Sequence, residues 1–296
     1  MSRILTLAAR HLFDRGDSAR LKKLSFDRAD IDSALNIPYC GDGEGAHLLD
    51  IYRLKDGQGE KPLLICIHGG GLFSGYKEIN RGFCDEFVRR DYDVVNLNYR
   101  RIPEVTLEQQ LEDLLAALHW IEACAAEQRL NTRQVYLVGD SAGALLCCLT
   151  LGLHLNTKFQ RTMALCPTKL HFCGVGLISV MLDTKRDDFM KFINSEIVSK
   201  HCAEERRRYL LDPQRIFDQG LWPPVFLFTS AEDQIRKDTL KLADKLRATE
   251  RPFQLLDWPK GTDYRLGHVF AVQFPMYPES QRLIDAMTDY FQGGKE

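Results

Sequence analysis

No apolar run in this 296-residue chain approaches the ~20 residues needed to cross a bilayer. A spanning helix and stable membrane insertion are therefore not expected. No block of Lys and Arg stands alone. The densest, EERRRY at 204–209, opens on two glutamates, and the formal net charge is −2. That argues against a nucleic-acid groove or a polybasic anchor, and the run reads as a solvated helix face. No CxxC pair and no Cys/His zinc spacing occurs, so no metal site is expected. Neither residues 1–46 nor residues 183–220 are rich enough in Pro, Gly or Ser to be a linker, and no internal repeat appears. The opening stretch MSRILTLAARHLFDRGDSARLKK is too broken by arginine for a signal h-region. A soluble cytoplasmic protein is the expectation. A helix lying on a membrane surface over Ile4–Phe13 is the less favoured reading of that stretch.

Cysteine, by contrast, is plentiful. The nine are odd in number, and Cys66, Cys147, Cys148 and Cys166 sit within apolar stretches. Free thiols in a reducing compartment fit better than a disulfide framework. Continuous apolar runs recur at 47–54, 62–70, 93–100, 134–140, 174–182, 224–233 and 253–258. Lack of alternation marks strands covered on both faces. Helical patterns lie between them, at 78–90, 106–127, 142–155, 236–249 and 278–291. In the clearest, Leu107, Leu111, Leu114, Leu115, Leu118 and Ile121 form one stripe. Strands alternating with helices predict a mostly parallel sheet with helices on both faces. One domain over 1–296 is expected. Residues 1–46 precede the first expected strand, and 183–220 form a helical insertion between two others.

The stretch VYLVGDSAGALLCCL, 135–149, reads as strand, turn and helix, with Ser141 at the turn between Gly139 and Gly143. In G-x-S-x-G the turn lifts the hydroxyl above the strand end, and bare neighbours avoid collision. The helix that starts there aims free N–H groups at the same spot. Chance yields this pattern in roughly one chain of ten, so a helix N-cap remains the competing role for Ser141. The second feature, HGGG at His68–Gly71, arises by chance in about three chains per thousand. Consecutive glycines expose backbone N–H groups that can converge on an oxyanion. His68 reads as a brace for this loop rather than a proton carrier. Both features fall at carboxyl ends of expected strands, where open α/β sheets place their sites.

HGGG followed some seventy residues later by GDSAG resembles the hormone-sensitive-lipase-like branch of the α/β-hydrolase esterases. NYRRIPEVTLEQQLEDLLAALHWI, 98–121, looks like the strand-loop-helix of that branch, and the likeness runs from about Leu48 to the last helix. The resemblance implies an acid in a D-P-L-x-D pattern. TSAEDQIRKDT offers Asp233 there, with Gln234 for proline, Ile235 for leucine and Asp238 at the later aspartate; Glu232 is a rival. It implies a histidine in H-G-F before the last helix, which here is His268, followed by Val269 and Phe270. Asp140, family-typical, would brace the turn.

The activity that the resemblance implies is that of a serine carboxylesterase for short- to medium-chain esters. His268 takes the proton of Ser141 and Asp233 orients the imidazole. The N–H groups of Gly70, Gly71 and Ala142 hold the oxyanion, with Gly69 a substitute. An acyl-enzyme forms and water releases the acid, without metal or organic cofactor. Residues 1–46 and 183–220 occupy the places of a small helical cap, and Phe189, Ile193 and Ile197 either line an acyl pocket or pack the cap. An amide hydrolase of arylformamidase type would use the same triad. A non-catalytic binding module on this fold is the third reading.

Overall fold

The structure is a computed structural model that describes residues 2–184 and 193–293. Strands β1 (Ile31–Pro38), β2 (Leu48–Leu54), β3 (Leu63–Ile67), β4 (Asp93–Leu97), β5 (Val135–Asp140), β6 (Phe172–Ile178), β7 (Val225–Ser230) and β8 (Phe253–Trp258) form one sheet. Their order is β1-β2-β4-β3-β5-β6-β7-β8. The first two joints are antiparallel and the rest parallel. Every residue of β3, β4, β5 and β7 is buried, which is why these runs read as unbroken apolar stretches.

Their side chains alternate between two cores. Ile65, Ile67 and Leu137 face one side, against helices α3 (Leu107–Cys124) and α4 (Ala142–Leu155). Leu64, Cys66 and Val138 face the other, against α2 (Arg81–Val88) and the C-terminal α9 (Pro278–Phe291). The stripe expected on α3 is buried from Leu107 to Ile121. Thr106 and Gln109 close a capping box at its start, each side chain accepting from the other's backbone N–H. Asp113, buried within α3, is held by the Arg100 guanidinium and by the Arg100 N–H at 3.0 Å, which fixes the chain as it leaves β4.

The first strand comes earlier in the chain than expected. Ile31–Pro38, within the segment expected to be helical cap, forms the antiparallel edge of the sheet. Of its eight residues only Ile31 is buried, so the run carries neither the continuous nor the alternating apolar signal. A register shift between Ala34 and Ile37, with Asn36 at φ 57°, breaks its pairing. A bulge and a proline are common ways to blunt an exposed edge.

The segment expected as an insertion does fall between β6 and β7. Its described part holds α6 (Glu204–Leu211) and a 3-10 turn, Pro213–Asp218. These lie against α4 and against α5 (Thr157–Met163). Ile193 and Ile197 are buried in the core, and Ile197 accepts from the Leu107 N–H at 2.8 Å. Phe189 lies outside the described residues. The remaining helices are α1 (Ser2–Lys23), α7 (Arg236–Ala248) and the short α8 (Phe270–Gln273). The chain leaves β3 to pair β4 on one side, then returns to pair β5 on the other. The carboxyl ends of β3 and β5 therefore flank the switch point where such sheets leave a crevice.

Candidate active site

Ser141 sits in that crevice with φ 53° and ψ −116°, a backbone conformation that side chains other than glycine rarely adopt. The surroundings hold it there. Its N–H donates to the Ile178 carbonyl at 2.8 Å, and its carbonyl accepts from the Met181 N–H at 3.1 Å. The two glycines of the motif have separate steric reasons. A Cβ at Gly139 would lie 2.5 Å from the Gly143 carbonyl, and one at Gly143 would overlap the Ile67 carbonyl oxygen at the end of β3. The elbow thus packs directly on the neighbouring strand. The Ser141 hydroxyl makes no cap bond to α4. It lies 3.0 Å from His268 Nε2, so the side-chain cap role does not apply.

His268 follows β8 on the loop that leads into α8. Its Nδ1 lies 2.8 Å from Asp233 Oδ1. Asp233, at the exit of β7, also accepts from the Thr229 hydroxyl and the Ile235 N–H, each at 3.0 Å. Burial alone would raise its pKa. The hydrogen bond and charge of His268, with the Ile235 N–H and the Ser179 hydroxyl, outweigh burial and hold the carboxyl below its usual range. An acceptor-only carboxylate leaves the proton on Nδ1, and Nε2 then faces Ser141 as the acceptor.

The rival acid Glu232 and the later aspartate Asp238 have other partners. Glu232 Oε2 accepts from the N–H groups of Gly261 and Leu266, at 3.1 and 2.8 Å. It clamps the loop that carries His268. Asp238 accepts from the N–H groups of Leu182 and Asp183, both at 3.0 Å, and anchors the chain beyond β6.

On the opposite wall, Gly70 and Gly71 have φ of 112° and 60°, and both line the cavity beside Ser141. A Cβ at Gly70 would overlap the Ser74 carbonyl. Ala142 opens α4, so its N–H has no acceptor within the helix. Gly69 is different. Its N–H donates to Asp140 Oδ1 at 3.1 Å and is not available as the substitute donor. Asp140 also accepts from Asn80 Nδ2 at 2.8 Å, tying the glycine loop to the elbow. His68 is fully buried, stacked on Tyr99 with ring centroids 4.4 Å apart, its Nδ1 2.7 Å from the Gly69 carbonyl. Burial pushes its pKa down to about 4, which suits a neutral brace.

The cavity between these walls has a volume of about 140 Å³. Phe73, Ile79, Met181, Ile235 and Val272 give it an apolar lining. Of the two segments expected as cap, residues 1–46 contribute Phe13, Asp17 and Arg20 from α1, whereas no described residue of 183–220 lines it.

The BD-FAE family model matches residues 49–235, from β2 through the acid loop. The chain belongs to the BD-FAE family. Esterase LipI of Mycobacterium tuberculosis is 23% identical over 211 residues, 67% of this chain and 63% of that protein. The chain covers less than two thirds of the length of the curated relatives that match it first. Among solved structures, Esterase B from Lactobacillus rhamnosis, crystallised with a C4-C4 tributyrin phosphonate, aligns over 99% of this chain and 94% of its own. Its TM-score is 0.91 at 23% identity. An esterase of the bacterial hormone-sensitive lipase family aligns over 95% and 90%, with a TM-score of 0.74 at 18% identity. The architecture of this BD-FAE member is the α/β-hydrolase fold.

Several site residues of this BD-FAE chain carry little signal in the sequence. Thr229 is the penultimate residue of a strand that reads as apolar, and nothing local marks Asn80. Phe13, Asp17 and Arg20, by contrast, are spaced four and three apart, the interval that puts side chains on one helix face. The Glu232 clamp gives a first expectation. Glu232→Ala should free the loop before His268 and lower kcat/KM by less than the ~10²-fold that a 1 Å misplacement costs. Glu232→Gln keeps an acceptor oxygen and should lose less. Steady-state kinetics on the two variants checks this. A loss from Glu232→Ala as large as that from Asp233→Ala would make Glu232 the acid.

Proposed function

We propose that this protein is a serine carboxylesterase acting on short- to medium-chain acyl esters. The observation that carries the reading is the hydrogen-bonded chain from Ser141 through His268 to Asp233, at 3.0 and 2.8 Å. His268 accepts the hydroxyl proton as Ser141 Oγ attacks the ester carbonyl, and Asp233 stabilises the imidazolium that forms. The N–H groups of Gly70, Gly71 and Ala142 hold the oxyanion, where preorganised donors contribute most. His268 then protonates the departing alcohol. A water enters, His268 takes its proton, and the acyl-enzyme is hydrolysed. Each step uses the chain's own groups and calls on no metal or organic cofactor. The small, largely apolar cavity suits a short acyl chain, and α1 serves as its cap. Nine free cysteines support a cytoplasmic setting.

The test is hydrolysis of p-nitrophenyl acetate and butyrate, with a serine-directed organophosphate and mass spectrometry to locate the adduct. The expected result is turnover and one label, on Ser141. Neither turnover nor a Ser141 adduct would end the reading. An aryl formamide hydrolysed with a higher kcat/KM than either ester would move the activity to amide hydrolysis with the same residues.

The acid side of the pH profile offers a second check. A general base works only in its neutral form, so activity is lost as the pH falls. Burial keeps His68 neutral down to about pH 4, and it should not contribute. Log(kcat/KM) should climb with unit slope, and a slope of two would reveal a second titrating group.

A further inference from the structure

The exposed large apolar residues of the described chain are concentrated on one helix. Ile4, Leu5, Leu7, Leu12 and Phe13 of α1 are 72, 51, 40, 69 and 44% exposed. The opposite face of α1 is fixed over the cavity mouth by polar contacts. Arg10 donates to the Phe73 carbonyl and pairs with Glu104. Asp14 accepts from the Ser74 hydroxyl and from Arg101. Arg20 donates to the Gln273 carbonyl and to Asp17. Both acidic residues of α1 are therefore engaged on this inner side. The outer face runs through Ile4, Leu5, Ala8, Leu12, Arg15, Ala19, Lys22 and Lys23, all exposed and recurring at helical spacing. Its forward half is apolar, its rear half carries three cations, and it has no carboxylate of its own.

We propose that α1 is an interfacial helix that adsorbs the protein, cavity mouth first, onto an anionic phospholipid surface. A face with apolar residues in its forward half and Lys and Arg in its rear half can bury the one among acyl chains while the other meets headgroups. The charge chooses the surface, because basic residues are attracted to the anionic leaflet facing the cytoplasm. The helix lies on the membrane rather than through it. Among the described residues, no helix is long and apolar enough to cross. Phe13 is exposed and also lines the cavity, so the docking face is continuous with the mouth. Given the esterase activity proposed above, docking presents the site to esters partitioned in the lipid. Adsorption itself does not depend on that activity.

The experiment is co-sedimentation of the full chain with phosphatidylcholine vesicles, with and without phosphatidylglycerol. Wild type should bind the anionic vesicles at least about tenfold more tightly than the neutral ones, and added salt should weaken that binding. Ile4→Ser, Leu5→Ser and Leu12→Ser combined should reduce binding by about tenfold or more. These positions are exposed, so the melting temperature and turnover of a soluble ester should stay unchanged. Ser141→Ala should bind vesicles like wild type, which separates adsorption from chemistry. Equal affinity for both vesicle types, or undiminished binding by the triple variant, would overturn the proposal. So would a dimer, seen by light scattering, that the triple variant dissociates, since a second copy would then cover this face.

Discussion

Ser141→Ala is expected to lower kcat on p-nitrophenyl butyrate by roughly 10⁶-fold, about 8 kcal/mol of transition-state stabilisation. His268→Ala should cost nearly as much, and the double variant little more than either, because nucleophile and base act as one unit. Folding should survive the serine change. Alanine meets the same backbone strain at φ 53°, and the hydroxyl's hydrogen bond runs to His268 rather than to the backbone of the elbow. Two further nucleophiles lie one helical turn and more along α4, but Cys147 and Cys148 are buried and burial raises both thiols well above their usual range. They cannot stand in as thiolates. Residual turnover should come from the N–H groups of Gly70, Gly71 and Ala142 acting on bound ester. A Ser141→Ala enzyme that keeps more than about a hundredth of the wild-type rate, after purification from host esterases, would remove Ser141 from the mechanism.

The elbow and the glycine loop were legible because their chemistry is local. Gly139, Ser141 and Gly143 are close neighbours in the chain, and the clash each glycine avoids lies within the turn or one strand away. The buried strands were legible for a related reason. Burial on both faces favours apolar residues at successive positions, with few polar exceptions such as Asn96 and Thr229, and that pattern is written along the chain. His268 and Asp233 are different. They meet Ser141 through the sheet, His268 lying 127 residues from the serine and 35 from the aspartate, and only the family pattern pointed to them. Asn80 and Thr229 act on the site through isolated polar contacts, to Asp140 and to Asp233, and leave no periodic trace. Edge strand β1 fails to announce itself because one of its faces and its outer rim meet solvent. Residues 1–46 were expected over the pocket from the family resemblance alone, because the charges of α1 hide which of its residues reach the mouth. Arg10, Asp14, Asp17 and Arg20 look like a solvated surface until Phe73, Ser74, Arg101 and Gln273 are seen to face them.

Replacing Asp233 by alanine and by asparagine should give different losses, and the difference reports how His268 is held. Asp233→Ala removes the charge and the acceptor together, and roughly 3 × 10⁴-fold in kcat is the expected cost. Asparagine keeps one acceptor oxygen. In the native site Oδ1 faces both the Ile235 N–H and His268, whereas Oδ2 faces the Thr229 hydroxyl. The amide is therefore steered. Its oxygen satisfies the two N–H donors, and its NH₂ meets Thr229, whose hydroxyl can rotate to accept. The proton stays on Nδ1 and Nε2 still faces the serine. What is lost is the charge opposite the imidazolium, worth about 4 kcal/mol at 4 Å and an effective dielectric of about 20, or roughly 10³-fold. Asp233→Asn should thus remain about tenfold or more faster than Asp233→Ala. Equal or greater damage from asparagine would mean that its NH₂ has turned toward His268 and driven the proton to Nε2. In that case Thr229 and the Ile235 N–H do not set the orientation of this side chain, and the charge of Asp233 matters less than the tautomer it selects.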